Sequence, residues 1–271
     1  MYRNFFNLRE KPFNVTADPN FLFFSKKHQE AFDHLIYGIK EKKGFLEITG
    51  EIGTGKTTLC RALLGQLDKE AKTAFILNSN LPEIQLLLAI TDDFGISIKP
   101  KTKINILSEL NKFLIEQLKL NHNVVLIIDE AQNLKAAQLE QIRLLSNLET
   151  EKEKLIQIIL VGQPELKAKL NSPGLEQLRQ RIAVRYHILP LDKTELNDYI
   201  CHRLQIAGSD GSVKFDYEAI SEIYEYSAGV PRLINLVCDK ALLLGFVMEK
   251  RAISADMVRR SAEEIEGFIK I

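Results

Sequence analysis

Cysteine is scarce in these 271 residues: Cys60, Cys201 and Cys238 are the whole set. They stand far apart, with no C-x-x-C or metal-type spacing. That excludes a scaffold stapled by disulfides or zinc and reads as reduced core thiols of a cytoplasmic protein. Neither sign of charge is in excess, since 36 Lys and Arg face 36 Asp and Glu. The balance argues against a protein built mainly to bind polyanions and leaves room only for a local basic face, so nucleic acid is a possible partner but not the favoured one. Long apolar runs are missing as well. The longest, such as Ala241 to Met248, fall far short of the ~20 residues that cross a bilayer, and no signal-peptide core opens the chain. Direct membrane insertion is therefore not expected, and any attachment to the inner membrane would run through a partner. The five histidines show no metal-ligand spacing, no nucleophile triad is readable, and there is neither an internal repeat nor a low-complexity tract. The charge run from Lys40 to Lys43 reads as a solvated helix end.

What the chain has is enough apolar material, 45% of its residues, for one large domain and a small one. Its most informative stretch is GEIGTGKT, Gly50 to Thr57. An apolar strand, Phe45 to Thr49, runs into it, and a helix with Leu59, Ala62, Leu63 and Leu67 on its apolar stripe leads out. Glycines at 50, 53 and 55 lift the steric limit on the backbone, so that successive N–H groups of Gly50, Glu51, Ile52, Gly53, Thr54, Gly55 and Lys56 can turn toward phosphate oxygens at a helix N-terminus. Lys56 adds a mobile cation. Thr57 would place its hydroxyl on Mg²⁺, and Thr58 closes the motif.

Strand and helix signals then alternate. Strands are expected at Thr73 to Leu77, Val124 to Ile128, Leu155 to Val161 and Val184 to Leu189. Helices are expected near Pro82 to Phe94, Lys103 to Leu120, Lys135 to Leu148 and Leu175 to Arg181. This order implies an α/β fold with a five-stranded parallel sheet flanked by helices, spanning residues 1–190 with a linker block at 1–43. After Pro190 only helical patterns remain: Asp192 to Ile206 behind a capping-box-like Asp192 and Glu195, Asp216 to Tyr226, Val230 to Met248, and Ser254 to Ile269. They imply a small all-helical lid over 191–271.

Asp129 and Glu130 end a strand with the composition of a central, doubly covered one. There Asp129 suits the Mg²⁺ ion opposite Thr57, and Glu130 suits general-base work on an attacking water. No N-K-x-D element is present to read guanine, so ATP is favoured over GTP. Gln163, after the Leu155 to Val161 strand, is either a sensor of the terminal phosphate or water, or a turn amide. Arg179, Arg181 and Arg185 cluster at the fifth strand, and one of them, Arg181 first, could reach a neighbouring copy's nucleotide. Arg232, behind Gly229 and Pro231, could bring its guanidinium onto the nucleotide from the lid. The aromatic start, with Phe5, Phe6, Phe13, Phe21, Phe23 and Phe24, reads as core packing, part of which could line an adenine pocket; His28 and His34 read as packing on a helix.

Taken as blocks, YRNFFNLREKPFNVTADPNFLFFSKKHQEAFDHLIYGI, GEIGTGKTT, LIIDEAQNL, LVGQPEL, LRQRI and SAGVPRLINLVCDKALL resemble the AAA+ ATPases of the general secretion pathway protein A (ExeA) type and the related MSHA-pilus biogenesis ATPases. The resemblance covers nearly the whole chain. It implies a P-loop AAA+ core with a helical lid, Walker A at Gly50 to Thr57 and Walker B at Asp129 and Glu130. It also implies sensor 1 at Gln163, an arginine finger at Arg181, sensor 2 at Arg232, and an adenine flanked by Phe24 and His28. The implied activity is Mg²⁺-dependent ATP hydrolysis in an ATP-dependent homo-oligomer, a ring such as a hexamer, or a filament, that drives or regulates an envelope secretion or pilus assembly protein. The chain departs from the longer secretion proteins in stopping after the lid, without their transmembrane and periplasmic parts. Transposition ATPases of the MuB and TniB type share the DEAQ core, and an ATP-controlled DNA-binding regulator is the second reading.

Overall fold

Every strand of the main sheet shows its position in its burial. The structure is a computed structural model that describes residues 2–77, 79–149 and 153–267. Strands β1 (Phe45–Gly50), β3 (Val124–Ile128) and β4 (Gln157–Gly162) are buried at every residue, whereas β2 (Lys72–Ile76) and β5 (Ile182–Ile188) include exposed positions. Continuous apolar runs belong in a sheet's interior, where both faces are covered, and mixed ones at its edges. The order is β2-β3-β4-β1-β5, and every pairing is parallel. All carboxyl ends therefore lie along one rim, the rim where ligands bind in open α/β sheets.

The chain divides into two compact units. One comprises Gln29–Ile52 and Leu59–Ile188, and contains the sheet. Its core joins Leu126, Ile128, Ile158 and Leu160 to the inner faces of helices α4 (Glu83–Asp93), α5 (Lys103–Lys119), α6 (Ala136–Leu145), α7 (Pro164–Leu170) and α8 (Glu176–Arg181). Helix α2 (Lys26–Lys40) approaches β1 so closely that a Cβ on Gly38 would sit 2.2 Å from a Leu46 methyl, so any larger residue there would force the buried Leu46 side chain to shift. Helix α3 (Lys56–Gln66) buries Leu59, Cys60 and Leu63.

The other unit comprises Met1–His28, Gly53–Thr58 and Leu189–Ile271. Its helices are α1 (Tyr2–Phe5), α9 (Leu196–Ile206), α10 (Tyr217–Ser227), α11 (Pro231–Val247) and α12 (Ala255–Glu266). Phe6, Phe13 and Phe21 are buried in one core with Ile200, Ile223, Ile234, Val237 and Leu242. The amino-terminal aromatics thus share a core with the 189–271 helices. Arg203, itself buried, fastens them: its guanidinium donates to the carbonyls of Pro12 (2.5 Å) and Asn14 (3.0 Å) and lies 4.7 Å from the Phe21 ring centre.

Several expectations need correction. The carboxyl-terminal region is helical but not purely so, because Lys214–Phe215 (β6) pairs in parallel with Ala252–Ile253 (β7); two-residue strands are too short to leave a periodic signal. Helix α9 starts at Leu196, not near Asp192. The Glu195 carboxylate does accept the Asp192 N–H, as in a capping box, but also the N–H of Lys26 at 3.0 Å, and the residues before it form a turn. Cys201 is exposed, unlike Cys60 and Cys238. The expected helix end at Ile269 lies outside the described residues, as do residues 150–152 of the charge run between Glu149 and Lys154. Among the described residues no helix is long and apolar enough to cross a membrane.

Candidate functional site

The loop that leaves β1 has the backbone its glycines allow. Gly53 and Gly55 take φ of +82° and +93°, the left-handed region where side chains are strained. Both are also crowded by the same compact unit. A Cβ on Gly53 would stand 2.6 Å from the Cβ of Arg232, and one on Gly55 would stand 3.2 Å from Nε2 of His28. Helix α3 opens at Lys56, whose side chain is buried, with Thr57 and Thr58 partly exposed in its first turn. The motif residues Gly50, Glu51, Ile52, Gly53, Thr54, Gly55, Lys56, Thr57 and Thr58 thus form one strand-to-helix turn, with Glu51 and Ile52 exposed at its outer edge.

Two neighbours hold this turn. Arg232 donates its backbone N–H to the Gly53 carbonyl at 3.2 Å, while its side chain is exposed at the start of α11, one residue after Pro231. His28 is 2% exposed, and its Nε2 lies 2.8 Å from the Thr54 carbonyl. A carbonyl only accepts, so Nε2 carries the proton. Nδ1 then accepts from the Ser25 hydroxyl at 2.7 Å, and that hydroxyl oxygen accepts the His28 N–H. Burial holds the imidazole below its ordinary pKa, against the opposing pull of the Thr54 hydrogen bond. His28 therefore does more than pack on a helix: it is a neutral brace under the loop. Phe24 is 44% exposed, the most open of the amino-terminal phenylalanines noted above.

A second group of side chains lies along the sheet rim. Asp129, 2% exposed, follows β3, and its Oδ1 accepts the Glu130 N–H at 2.8 Å. Glu130 stands at φ +51°, a costly conformation for a residue with a side chain, here supported by the Ser79 hydroxyl on its carbonyl at 2.9 Å. Its Oε2 accepts from the side-chain amides of Gln132 and, at 3.1 Å, Gln163. Gln132 in turn accepts the Gln163 N–H at 3.1 Å. The structure brings Glu130 and Gln163 together and adds Gln132, which sequence reasoning missed. The only signal was its place two residues after Glu130 in DEAQ.

The three arginines differ. Arg181, half-buried, donates to the Ser146 hydroxyl at 2.9 Å. Arg185 donates to the Arg179 carbonyl at 2.8 Å and lies 3.4 Å from the carboxylate of Glu47, which is 3% exposed. Burial pushes the Glu47 carboxyl above the usual carboxylate range, with Arg185 and Lys167 pulling it back. No side-chain partner falls to Arg179 among the described residues.

A parallel sheet with a glycine-rich turn at a carboxyl end, a carboxylate pair at another and a helical carboxyl-terminal region define a P-loop nucleotide-binding protein of the AAA+ class. The AAA domain family matches residues 39–170. General secretion pathway protein A of Aeromonas hydrophila is 43% identical over 269 residues, 99% of this chain and 49% of that protein. Over almost its whole length the chain is therefore similar to the AAA+ proteins of the general secretion pathway protein A type, and it spans about half the length of that relative. Among solved structures, the fold is shared with the ORC2 protein of Aeropyrum pernix in its ADPNP–ADP complexes (TM-score 0.72, 19% identity, 94% of this chain and 72% of that one). It is also shared with the Holliday junction branch migration motor RuvB of Thermotoga maritima (TM-score 0.59, 16% identity, 89% and 69%).

Proposed function

We propose that this protein is a Mg²⁺-dependent ATP hydrolase that couples nucleotide turnover to the assembly or regulation of an envelope secretion or pilus system. The observation that carries the reading is the turn at Gly53 and Gly55, a backbone that only glycine adopts cheaply, opening directly into a helix N-terminus. Such a turn suits a polyphosphate, and the oxygen donors Thr57 and Asp129 suit a hard divalent cation. Bound Mg²⁺ and ATP would supply a polarised terminal phosphoryl group.

The chain's own groups would do the rest. Lys56 would neutralise phosphate charge, with the N–H groups of 50–58 around it. Glu130 would take a proton from the attacking water, and Gln163 would sense the terminal phosphate. Arg232 would reach the nucleotide from the start of α11. Phe24 would flank the adenine, while His28, both ring nitrogens already engaged, would brace the loop beside it. Arg181 remains the first choice for charge compensation in a neighbouring copy. It would give up one bond to a neutral hydroxyl, about 1 kcal/mol, whereas Arg185 would leave a buried carboxylate unpaired at about 3–5 kcal/mol. The partner we infer is a protein, since 36 positive and 36 negative side chains give no general attraction to nucleic acid. The site of action we propose is the cytoplasmic side of the inner membrane.

The test is phosphate release by the purified chain with Mg²⁺ and ATP. Lys56→Ala should lose nucleotide binding, and Glu130→Gln should bind without turnover. Unaltered behaviour of both variants would refute the assignment.

A further inference from the structure

Glu130 has only one carboxylate oxygen engaged. Its Oε2 receives two amide donors, from Gln132 and Gln163, whereas Oε1 has no hydrogen-bond partner among the described residues. A carboxylate held this way keeps one oxygen fixed and offers the other to a water. The two glutamines are not equivalent holders. Among the described residues, Gln163 is tied by its side chain to Glu130 alone. The Gln132 amide is used at both ends, its NH₂ on Glu130 and its carbonyl on the Gln163 N–H, which also fixes which way round the amide lies. Its backbone carbonyl is further held by the Lys169 ammonium, which bonds the Leu134 carbonyl as well. The space is tight: a Cβ at residue 162 would come within 2.7 Å of the Gln132 Oε1 and 3.0 Å of the Leu166 Cβ, so a side chain there would push the Gln132 amide aside.

We propose that Gln132 is the positioning residue of Glu130, locking one carboxylate oxygen so that the other is presented to the attacking water. The inference rests on the reading of Glu130 as general base. Gln132 acts through Glu130 and touches no reacting atom. Gln163 is the partner that can turn away toward a phosphate, and Gln132 keeps Glu130 aimed when it does. The side chain has to be glutamine: asparagine is one methylene short, and glutamate would set a like charge against Glu130.

The experiment uses the full chain with Mg²⁺ and ATP. Gln132→Leu, similar in size but without donor or acceptor, should lower kcat about 10- to 100-fold, as when a hydrogen-bond partner of a functional group is removed. Affinity for a non-hydrolysable ATP analogue should stay within about twofold, because no phosphate contact is lost. Added to Glu130→Gln, the same substitution should remove nothing more from the residual rate, as expected for two residues acting as one unit. If Gln132→Leu folds poorly, Gln132→Asn, neutral and one methylene too short to reach Glu130, should still lose turnover while largely keeping its melting temperature. Full turnover in either variant, or an equal further loss in the Glu130→Gln background, overturns the proposal while leaving ATP hydrolysis standing. A wild-type chain that binds ATP and never turns it over removes the functional reading and this one together.

Discussion

The contact between the glycine-rich turn and the start of α11 can be tested by adding a single methyl group. Gly53→Ala forces a side chain into φ +82°, which costs about 1–2 kcal/mol by itself. The new Cβ would also lie 2.6 Å from the Arg232 Cβ and 3.2 Å from a Val230 methyl, neither of them the far end of a flexible side chain. Overpacking of this kind adds about 1–3 kcal/mol, and moving α11 away would break the bond from the Arg232 N–H to the Gly53 carbonyl, worth about 1 kcal/mol. The sum is about 3–6 kcal/mol. The control is Gly174→Ala, at φ +91° with nothing within 4 Å of its Cβ, which carries the backbone strain alone. At about 2–4 °C per kcal/mol for a chain of this size, melting should fall by about 6–24 °C for Gly53→Ala and by about 2–8 °C for Gly174→Ala. Nucleotide affinity, read by titration with a fluorescent ATP analogue, should fall only for the first. Equal melting shifts in the two variants would show that the close approach of Arg232 contributes nothing, and the structural account of this turn would be wrong.

Two further outcomes follow from buried polar groups. His28 is held below its ordinary pKa of 6.5, so below that pH the unfolded chain takes up a proton that the folded one refuses. Stability is fully present above about pH 6.5 and should decline on acidification, by up to about 1.4 kcal/mol per pH unit from this residue. His28→Gln, which keeps a donor for the Thr54 carbonyl, should flatten the melting temperature between pH 7.5 and 5.5; an unchanged slope would mean that folding leaves the imidazole's proton affinity unaltered. Arg203→Ala should free residues 5–21 by removing both carbonyl contacts and the Phe21 stack, at about 3 kcal/mol or more. Hydrogen exchange over that segment would read the loss, and unchanged protection would refute the clamp.

What the sequence by itself determined is local. The GEIGTGKT turn was legible because backbone sterics at Gly53 and Gly55 depend on the residues themselves. The strand Val124–Ile128 and the helices over 103–119 and 231–247 were legible to within a residue or two, since apolar period and cap residues act over a few positions. Asp129 and Glu130 could be picked out because they end a strand whose composition already marks it as central.

Tertiary structure alone decided what depends on distant partners. The bond between His28 and the Thr54 carbonyl joins residues 26 positions apart, and the burial of Phe6, Phe13 and Phe21 with the 189–271 helices spans most of the chain. No local period encodes either one. The bridge from Gln132 to Glu130 and Gln163 arises because β3 and β4 are neighbours in the sheet, which brings their carboxyl-terminal loops within hydrogen-bond reach. The differing states of Arg181 and Arg185 follow in the same way from Ser146 and Glu47, acceptors that lie on other elements. A side chain's chemistry belongs to its own residue, but what it can reach is set by the folding of the rest.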